Sequence, residues 1–352
     1  MFISSKRVAA LGLALTALVV TGCGSDGEKA ASTPAASEST DAAAPAGKKI
    51  KVGLVTDIGG LNDRSFNALA NKGLEDAKTQ LGVDGRVITS KSNSDYIPNL
   101  SSLAQQKYDL IVGVGFLMAD AVDTVAKKFP ETNFAIIDFP QAGLKGKPKN
   151  VRGLLFKENE AGYLAGTIAG AYAKANGIDT ISSVGGQKIP PVDAYIAGYQ
   201  AGAEAASPGI KTLNAYSQDF VDQAKCKEIA LDQIDRGSGI VFQVAGQCGL
   251  GSLDAAKEKG KLGIGVDADQ GYLGDHILTS ALKKIDVAVL ETIKSVQDDA
   301  FKPGEDQVFD VKSEGVGIGE VSAAGAEFQA AVDEAQAKIA AGELDIPDTV
   351  GK

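Results

Sequence analysis

The chain alternates between two patterns of hydrophobic and polar residues along most of its length. Short apolar runs of strand length recur, as at residues 51–56, 109–115 and 133–138, and they are rich in Val, Ile, Leu or Phe. Longer segments in which apolar residues have helical spacing lie between them, such as residues 66–81. This repeated strand–helix order predicts parallel sheets with helices on both faces.

The stretch after the first predicted strand is rich in candidate binding groups. The strand stops at Asp57, and the Gly59-Gly60 pair after it permits a tight turn. Asp63 or Ser65 is placed to cap the helix that follows. A loop in this order lies at the carboxyl edge of a parallel sheet, where open α/β folds bind ligands. The side chains that it brings together are Asp57, Asp63, Ser65, Phe66 and Asn67.

These side chains suit a neutral, flat, hydrogen-bonding ligand better than a phosphate. No lysine, phosphate-loop spacing or dinucleotide fingerprint accompanies the loop. An aromatic ring beside an amide and carboxylates matches a planar solute with polar edges. One alternative stays open at this point, in which Phe66 is the first core residue of its helix and the acidic residues are helix caps.

The second half of the chain repeats the organisation of the first. Phe66 lies seven residues before Gly73, and Tyr195 lies seven residues before Gly202. In both places a strand-like run and a Gly-Gly loop precede the aromatic residue, and a helix rich in small residues follows it. We therefore expect two similar α/β lobes joined by several crossings, which form a clamshell whose cleft faces both sets of strand ends.

The order of elements also predicts how the chain is divided between the lobes. We expect the N-terminal lobe to comprise residues 49–156 together with about 278–302. The C-terminal lobe is expected to comprise residues 157–277 together with about 303–352. The residues before 49 differ in composition and are expected to lie outside both lobes.

The N-terminus has the composition of an exported, lipid-anchored protein. Lys6 and Arg7 precede the uninterrupted apolar run 8–20, which is too short for a comfortable membrane span and is typical of a secretory signal. The run ends in Val-Thr-Gly-Cys, which resembles a bacterial lipobox. We therefore expect residues 1–22 to be a lipoprotein signal peptide and Cys23 to carry the lipid. The alternative is an ordinary signal peptide with an incidental cysteine.

Residues 23–48 are expected to form a disordered tether, because they are rich in Ala, Ser, Thr, Pro and Glu and hold little to bury. The formal net charge of the chain is −10, and loss of residues 1–22 removes two basic residues and no acidic one, which makes it −12. An acidic exported protein binds nucleic acid or an anionic membrane poorly. Attachment to a membrane is therefore expected through the lipid alone.

Two further cysteines leave two alternatives open. An exported domain with two cysteines invites a disulfide. Cys226 is expected near the start of a helix and Cys248 in a loop after a strand, at the same end of a sheet, so a bridge or two separate thiols both fit. A zinc site is not expected, since His276 is the one histidine in the sequence.

Several segments, in matching order, resemble one family of bacterial lipoproteins. They are DIGGLNDRSFNALANKGLEDA, SDYIPNL, DLIVGVGF, FAIID, EAGYLAGTIA, VGGQKIP and TSALKKID, spread over residues 49–302. By these segments the chain resembles the BMP (basic membrane protein) family, the substrate-binding subunits of ABC importers, whose best-understood members resemble purine-nucleoside receptors. The resemblance implies the type I periplasmic-binding-protein fold, a clamshell of two doubly wound parallel-sheet lobes joined by a hinge.

The resemblance also implies a nucleoside site in the cleft. Phe66 would stack on one face of the base, and Phe220 of the other lobe would cover the opposite face. Asn67 would donate to one edge of the base, and Asp138 would hold the other edge. Stacking on an aromatic ring is worth about 1–3 kcal/mol per base. Buried polar groups left without partners penalise ligands with the wrong pattern of donors and acceptors.

The same resemblance assigns the sugar and the rim of the site. Asp267 and Lys283 would bind the ribose hydroxyls. Gly246 would let backbone groups approach the ligand, and Asp57 would lie at the rim or support the site. Cys248 stands where the family leads us to expect a small residue, so a disulfide at that position would shift the contact made by Gly246.

The expected function is a lipid-anchored substrate-binding protein of an ABC importer, on the extracytoplasmic face of the cell membrane. It would capture nucleosides, purines foremost, and deliver them to permease and ATPase subunits. Two alternatives remain, a receptor for a sugar or another small metabolite, and a sensor lipoprotein that takes no part in transport. No enzymatic activity, cofactor or metal is expected, because one histidine and no GxSxG motif leave no acid/base pair or activated nucleophile.

Overall fold

The computed structural model describes residues 47–351. The predictions for the signal peptide over residues 1–22, for lipidation of Cys23 and for most of the tether lie outside these residues. Within residues 47–351, no helix is both long enough and apolar enough to cross a membrane.

Strands and helices alternate throughout the described residues. Their twelve strands are β1 (Lys51–Val55), β2 (Asp84–Ile88), β3 (Leu110–Gly113), β4 (Asn133–Ile137), β5 (Val151–Phe156), β6 (Thr180–Gly185), β7 (Lys211–Tyr216), β8 (Ile240–Val244), β9 (Leu262–Asp267), β10 (Ile277–Lys283), β11 (Asp306–Phe309) and β12 (Val316–Ile318). Their nine α-helices are α1 (Phe66–Leu81), α2 (Tyr96–Gln105), α3 (Ala119–Lys128), α4 (Glu158–Ala175), α5 (Pro190–Ala206), α6 (Gln223–Asp235), α7 (Gly246–Glu258), α8 (Ile285–Gln297) and α9 (Gln329–Ala340). This order confirms the predicted α/β class.

The strands form two six-stranded sheets with the same order of connection. The first sheet runs β11-β5-β4-β3-β1-β2, and the second runs β12-β10-β9-β8-β6-β7. Every pairing among these strands is parallel except that of β10 with β12. Each strand of one sheet therefore has a counterpart in the other, which confirms the prediction of two similar doubly wound lobes.

The central strands are apolar because helices cover both faces of each sheet. All residues of β3 and of β8 are buried. Buried parallel strands carry continuous apolar runs rather than an alternating pattern, and this is why they could be read from the sequence. The polar residues that follow these runs fall at the carboxyl edges of the sheets.

The chain crosses between the lobes at places that differ from the expected boundaries. β10 belongs to the second sheet, whereas the expected boundary near residue 278 assigned it to the first lobe. α8 of the same expected segment does pack against α1 of the first lobe. β11 belongs to the first sheet, although residues 303–352 were expected in the second lobe. An apolar pattern identifies a strand, but its pairing partner depends on long-range packing that the local pattern does not encode.

A disulfide joins Cys226 in α6 to Cys248 in α7, with 5.5 Å between their Cα atoms. Cys248 lies in the first turn of α7, which begins at Gly246, and not in a loop as expected. Further along α7, a Cβ atom at Gly251 would lie 1.9 Å from the carbonyl oxygen of Gln223. Glycine is therefore needed there for α6 and α7 to pack closely.

Helices α4 and α5 also pack through glycines. A Cβ atom at Gly166 would lie 2.0 Å from the carbonyl oxygen of Tyr199, and one at Gly202 would lie 2.1 Å from that of Tyr163. The small residues of these helices therefore allow close backbone packing and are not part of a ligand site.

Gly166→Ala is expected to lower the free energy of unfolding by about 1–3 kcal/mol, because the added methyl group forces two helix backbones apart. Gly317→Ala is the matched control, since nothing lies within 4 Å of a Cβ atom at that strand position. Urea titrations followed by circular dichroism measure both variants. Equal midpoints for the two would contradict this account of the helix packing.

Candidate ligand-binding site

A cavity lies between the two lobes, at the carboxyl ends of strands from both sheets. Its volume is ≈ 630 Å³, including the open mouth. All eight residues predicted to bind a ligand line it, namely Asp57, Phe66, Asn67, Asp138, Phe220, Gly246, Asp267 and Lys283. The structure thus brings to one place residues that are spread over both halves of the sequence.

The loop after β1 is held by hydrogen bonds around Asn67. The side-chain amide of Asn67 donates to Asp57 Oδ1 at 2.7 Å and to Asp63 Oδ2 at 3.1 Å. Its own Oδ1 accepts the backbone N–H of Asp57 at 3.1 Å. Asp63 also accepts backbone N–H groups at the start of α1, including that of Ala68 at 3.0 Å, and so caps the helix. The Asn67 amide therefore orders the loop.

This network bears on the roles expected for two residues of the loop. Asn67 was expected to donate to the ligand, and Asp57 to lie at the rim or to support the site. The bonds that Asp57 accepts from Asn67 and Gly59 both end on Oδ1. Its Oδ2 lies on the side of Gly115, 3.3 Å from where a Cβ atom would stand at that cavity-lining residue. Burial raises the pKa of Asp57 to about 6, although hydrogen bonds from Asn67 and Gly59 lower it.

Lys283 lies at the centre of a buried ion-pair cluster. Its Nζ atom is 2.6 Å from Asp138 Oδ1 and 2.8 Å from Glu158 Oε1. The side chains of Lys283, Asp138 and Glu158 are 2%, 5% and 8% exposed. Nζ also lies 5.2 Å from the ring centroid of Phe66 and 4.8 Å from that of Phe156, where cation–π attraction operates. Lys283 and Asp138, which were predicted separately as ligand contacts, are therefore paired with each other.

The charge of this cluster follows from the balance between burial and ion pairing. Burial lowers the pKa of Lys283, but the surrounding carboxylates, foremost that of Asp138, outweigh this and raise it above its usual value. Burial raises the pKa of Glu158 to about 7 and also raises that of Asp138, while Lys283 acts against both shifts. Lys283 therefore holds the fixed positive charge of the site, and the pKa values of the carboxyl groups around it are raised above their usual range.

Further contacts join the lobes across the cavity. Asp267 of the second lobe accepts a hydrogen bond from the hydroxyl of Ser65 at 2.5 Å. Gln270 Nε2 of the second lobe donates to the backbone oxygen of Arg64 at 3.3 Å. Together with the ion pair between β10 and the loop after β4, these contacts hold the lobes in a closed arrangement.

Asp138 and Asp267 occupy corresponding places in the two lobes. Asp138 follows β4 and Asp267 ends β9, and each strand is third from the same edge of its sheet. Their φ angles are 69° and 60°, a left-handed conformation that is uncommon outside glycine. Such backbone strain concentrates at functional sites. Burial raises the pKa of Asp267 to about 6, while Lys283 lowers it. The two acidic residues thus line one cavity from opposite lobes.

The wall on the second lobe is built around Phe220, in the loop after β7. Its carbonyl oxygen accepts the backbone N–H of Cys248 at 3.0 Å. A Cβ atom at Gly186 would lie 2.3 Å from the Phe220 ring. Gly246 lies beside the same residue in a left-handed conformation with φ 56°. Gly186 therefore makes room for the ring, and a disulfide-bonded residue holds its loop.

Tyr195 and Glu158 also bear on this site, and neither was assigned to it from the sequence. Tyr195 lines the cavity and donates its hydroxyl to Asp267 at 3.3 Å. The internal repeat, which matched Tyr195 to Phe66 by spacing, was the signal that could have found it. Glu158 had no such signal, because an acidic residue in the first turn of a helix is already explained by the helix dipole.

The site combines aromatic rings with an excess of carboxyl groups over cations. One ammonium group stands among several buried carboxyl groups: Asp57, Asp138, Glu158 and Asp267. Such a site favours ligands that donate hydrogen bonds and disfavours phosphate, since like charges repel strongly at low dielectric. No group of three or more His, Cys, Asp and Glu side chains in residues 47–351 is arranged to hold a metal ion.

Two similar α/β lobes that enclose a cavity at their strand ends define a solute-binding protein of the periplasmic type. A solute-binding protein of an ABC transporter from Aeropyrum pernix K1 superimposes with a TM-score of 0.77 at 27% identity, over 86% of this chain and 94% of that one. A second, from Conexibacter woesei, gives a TM-score of 0.69 at 26% identity, over 85% and 99% of the two chains. These structures confirm the predicted fold class.

Sequence comparison gives the family. The Bmp family, described as ABC transporter substrate-binding protein PnrA-like, matches residues 50–350. The ABC transporter nucleoside-binding protein BmpA of Lactococcus lactis is 34% identical over 88% of this chain and 93% of its own length. An uncharacterized lipoprotein of Pyrococcus abyssi is 37% identical over 73% of this chain and 66% of its own length, just under two thirds. The chain belongs to the Bmp family of ABC-transporter substrate-binding proteins, which confirms the resemblance.

The buried carboxyl groups are expected to make the protein more stable in mild acid than at neutral pH. The folded-state pKa values of Asp57 and Asp267 are about 6, against an ordinary value of 3.8. The folded state therefore binds protons more tightly than the unfolded chain, and the free energy of unfolding falls as pH rises from about 4 through about 6. The melting temperature should accordingly fall by several degrees between pH 5 and pH 8.

Asp57→Asn tests the assignment of this effect. The amide keeps an oxygen to accept the N–H groups of Gly59 and Asn67 but does not titrate. We expect the variant to lose part of the pH dependence and to be more stable than the wild type above pH 7. A melting temperature that rises with pH in both proteins would contradict the predicted sign.

Proposed function

We propose that the protein captures a nucleoside, and a purine nucleoside foremost, between its two lobes. The observation that supports this most is an aromatic side chain from each lobe, Phe66 and Phe220, lining one cavity together with buried carboxyl groups. Stacking on such rings is worth about 1–3 kcal/mol per base. A sugar, the alternative ligand class, has no planar group to cover these rings.

The carboxyl groups of the first lobe are assigned to the edges of the base. Asp57 presents Oδ2 on the cavity side of its loop, and Asp138 lines the cavity from the end of β4. Carboxyl oxygens accept the amino and ring N–H groups of a purine. Asn67 acts on the ligand through Asp57, because its amide hydrogens are already donated within the loop.

The second lobe is assigned to the sugar. Asp267 supplies an acceptor and Lys283 a charged donor for ribose hydroxyls, and the left-handed backbone at Gly246 lets main-chain groups approach the ligand. The excess of carboxyl groups argues against a phosphorylated ligand, so a nucleoside is favoured over a nucleotide.

The names of the relatives support the same proposal. The Lactococcus lactis relative is named a nucleoside-binding protein, and those of Pyrococcus abyssi and Pyrococcus horikoshii are named lipoproteins. We extend both properties to this chain. A lipid on Cys23 holds it on the extracytoplasmic face of the cell membrane, and the closed, loaded form delivers its ligand to the permease of an ABC importer powered by ATPase subunits.

We further propose that binding proceeds without catalysis. The carboxyl groups of the cavity accept hydrogen bonds from Lys283, Ser65 or Asn67, and no histidine that could activate a nucleophile lines the cavity. Inosine incubated with the purified protein should be recovered intact by chromatography. Release of hypoxanthine that depends on the protein would instead show a hydrolase.

Phe66→Ala and Asp138→Asn are each expected to weaken nucleoside binding at least tenfold. The first removes a stacking surface, and the second removes a charged acceptor for the base. Isothermal titration of the full-length protein in detergent with inosine, adenosine, guanosine, uridine and ribose measures the loss and the order of preference. Purine nucleosides should bind most tightly, and ribose should give no heat.

Phe301→Ala is the matched control, because Phe301 is a half-buried phenylalanine that packs on the core away from the cavity. It should lower stability without changing the affinity for inosine. Both site variants should still melt cooperatively. Wild-type affinity for inosine in Phe66→Ala and Asp138→Asn would refute the placement of the base.

A further inference from the structure

Glu158 is buried in the structure, which its position at the start of a helix does not explain. It begins α4, immediately after the chain has crossed from β5 of the first lobe. A glutamate in a first helical turn is normally solvated, but its side chain is 8% exposed. Its Oε1 accepts a hydrogen bond from Lys283 Nζ at 2.8 Å, and Glu158 itself does not line the cavity.

The two carboxylates that hold Lys283 differ in the lobe to which they belong. Asp138 belongs to the first lobe, since it follows β4. Glu158 and Lys283 both belong to the second lobe, because α4 packs against β10, the strand that ends in Lys283. A hinge motion that separates the lobes therefore pulls Lys283 away from Asp138 and leaves it beside Glu158.

This difference gives the two acidic residues different tasks. A buried ammonium group without a partner is costly, and a long lysine side chain without a fixed partner samples many rotamers. Glu158 supplies a partner that stays with Lys283 whether the lobes are open or closed. Asp138 adds its contact only when the lobes meet.

We propose that Glu158 is a positioning residue for ligand recognition, which holds the ammonium group of Lys283 at the point where it meets the sugar hydroxyls of a nucleoside. The inference rests on the proposed function, because it takes the sugar as the target of Lys283. Glu158 acts on the ligand only through Lys283, so its effect is confined to the part of the ligand that Lys283 contacts.

A purely structural role for Glu158 would have a different consequence. Loss of a buried ion pair would then destabilise the protein and weaken every ligand alike. The positioning role instead predicts a loss that depends on the hydroxyl groups of the sugar. Two ligands that share a base and differ in these hydroxyls, inosine and 2′,3′-dideoxyinosine, distinguish the two roles.

The test is isothermal titration of full-length Glu158→Gln with both nucleosides. The wild type should bind inosine much more tightly than the dideoxy compound. In Glu158→Gln, binding of inosine should weaken about tenfold to a hundredfold, as expected for a misplaced charged hydrogen bond. Binding of the dideoxy compound should change less than threefold. The dissociation constant of the dideoxy compound divided by that of inosine should therefore fall about tenfold.

Glu160→Gln is the matched control two residues further along α4. Glu160 Oε2 accepts the backbone N–H of Val311 at 2.8 Å. Its substitution keeps an oxygen for this bond and should leave the ratio of dissociation constants at the wild-type value. Glu158→Asp keeps the charge but withdraws it by one methylene, and we expect an intermediate ratio of dissociation constants from it. This second variant tests the proposal if the glutamine variant folds poorly.

The outcomes separate this proposal from the proposed function. An unchanged ratio in Glu158→Gln and Glu158→Asp, with equal losses for both ligands or none, overturns the positioning role and leaves nucleoside binding standing. A wild-type ratio near one also overturns it, because Lys283 would then not contact the sugar hydroxyls. A wild type that binds neither nucleoside overturns both proposals together.

Discussion

One buried ammonium group determines much of how this structure is arranged. Removing a charge from water is unfavourable unless oppositely charged groups and hydrogen bonds replace the solvent. Lys283 obtains these from Asp138 and Glu158 at 2.6 and 2.8 Å. The two carboxylates stand at the end of β4 and at the start of α4, so the first lobe, the second lobe and one crossing between them must meet at this point.

The site is built from both lobes, so it is complete only where the lobes meet. The contact between Ser65 and Asp267 and the ion pair between Lys283 and Asp138 both span the lobes. A ligand that touches both lobes shifts the population toward the closed form by its additional contacts there. The matching left-handed positions of Asp138 and Asp267 indicate that the two sheets contribute to this site in the same way.

Much of the architecture could be predicted from the sequence, because buried parallel strands are continuous apolar runs and the polar residues after them fall at one sheet edge. The pairing partners of individual strands could not be predicted, and β10 and β11 were therefore expected in the wrong lobes. All eight residues that the family resemblance led us to expect line the cavity. The use of the Asn67 amide within its loop and the burial of Glu158 depend on three-dimensional contacts that sequence spacing does not record.

A crystal structure of the full-length protein grown with inosine would show where the base and the sugar lie. We expect the hypoxanthine ring between Phe66 and Phe220, with Lys283 Nζ and the Asp267 carboxylate at hydrogen-bonding distance, about 3 Å, from ribose oxygens. Inosine bound away from the two rings, or a cavity between the lobes that stays without inosine at millimolar concentration, would contradict it.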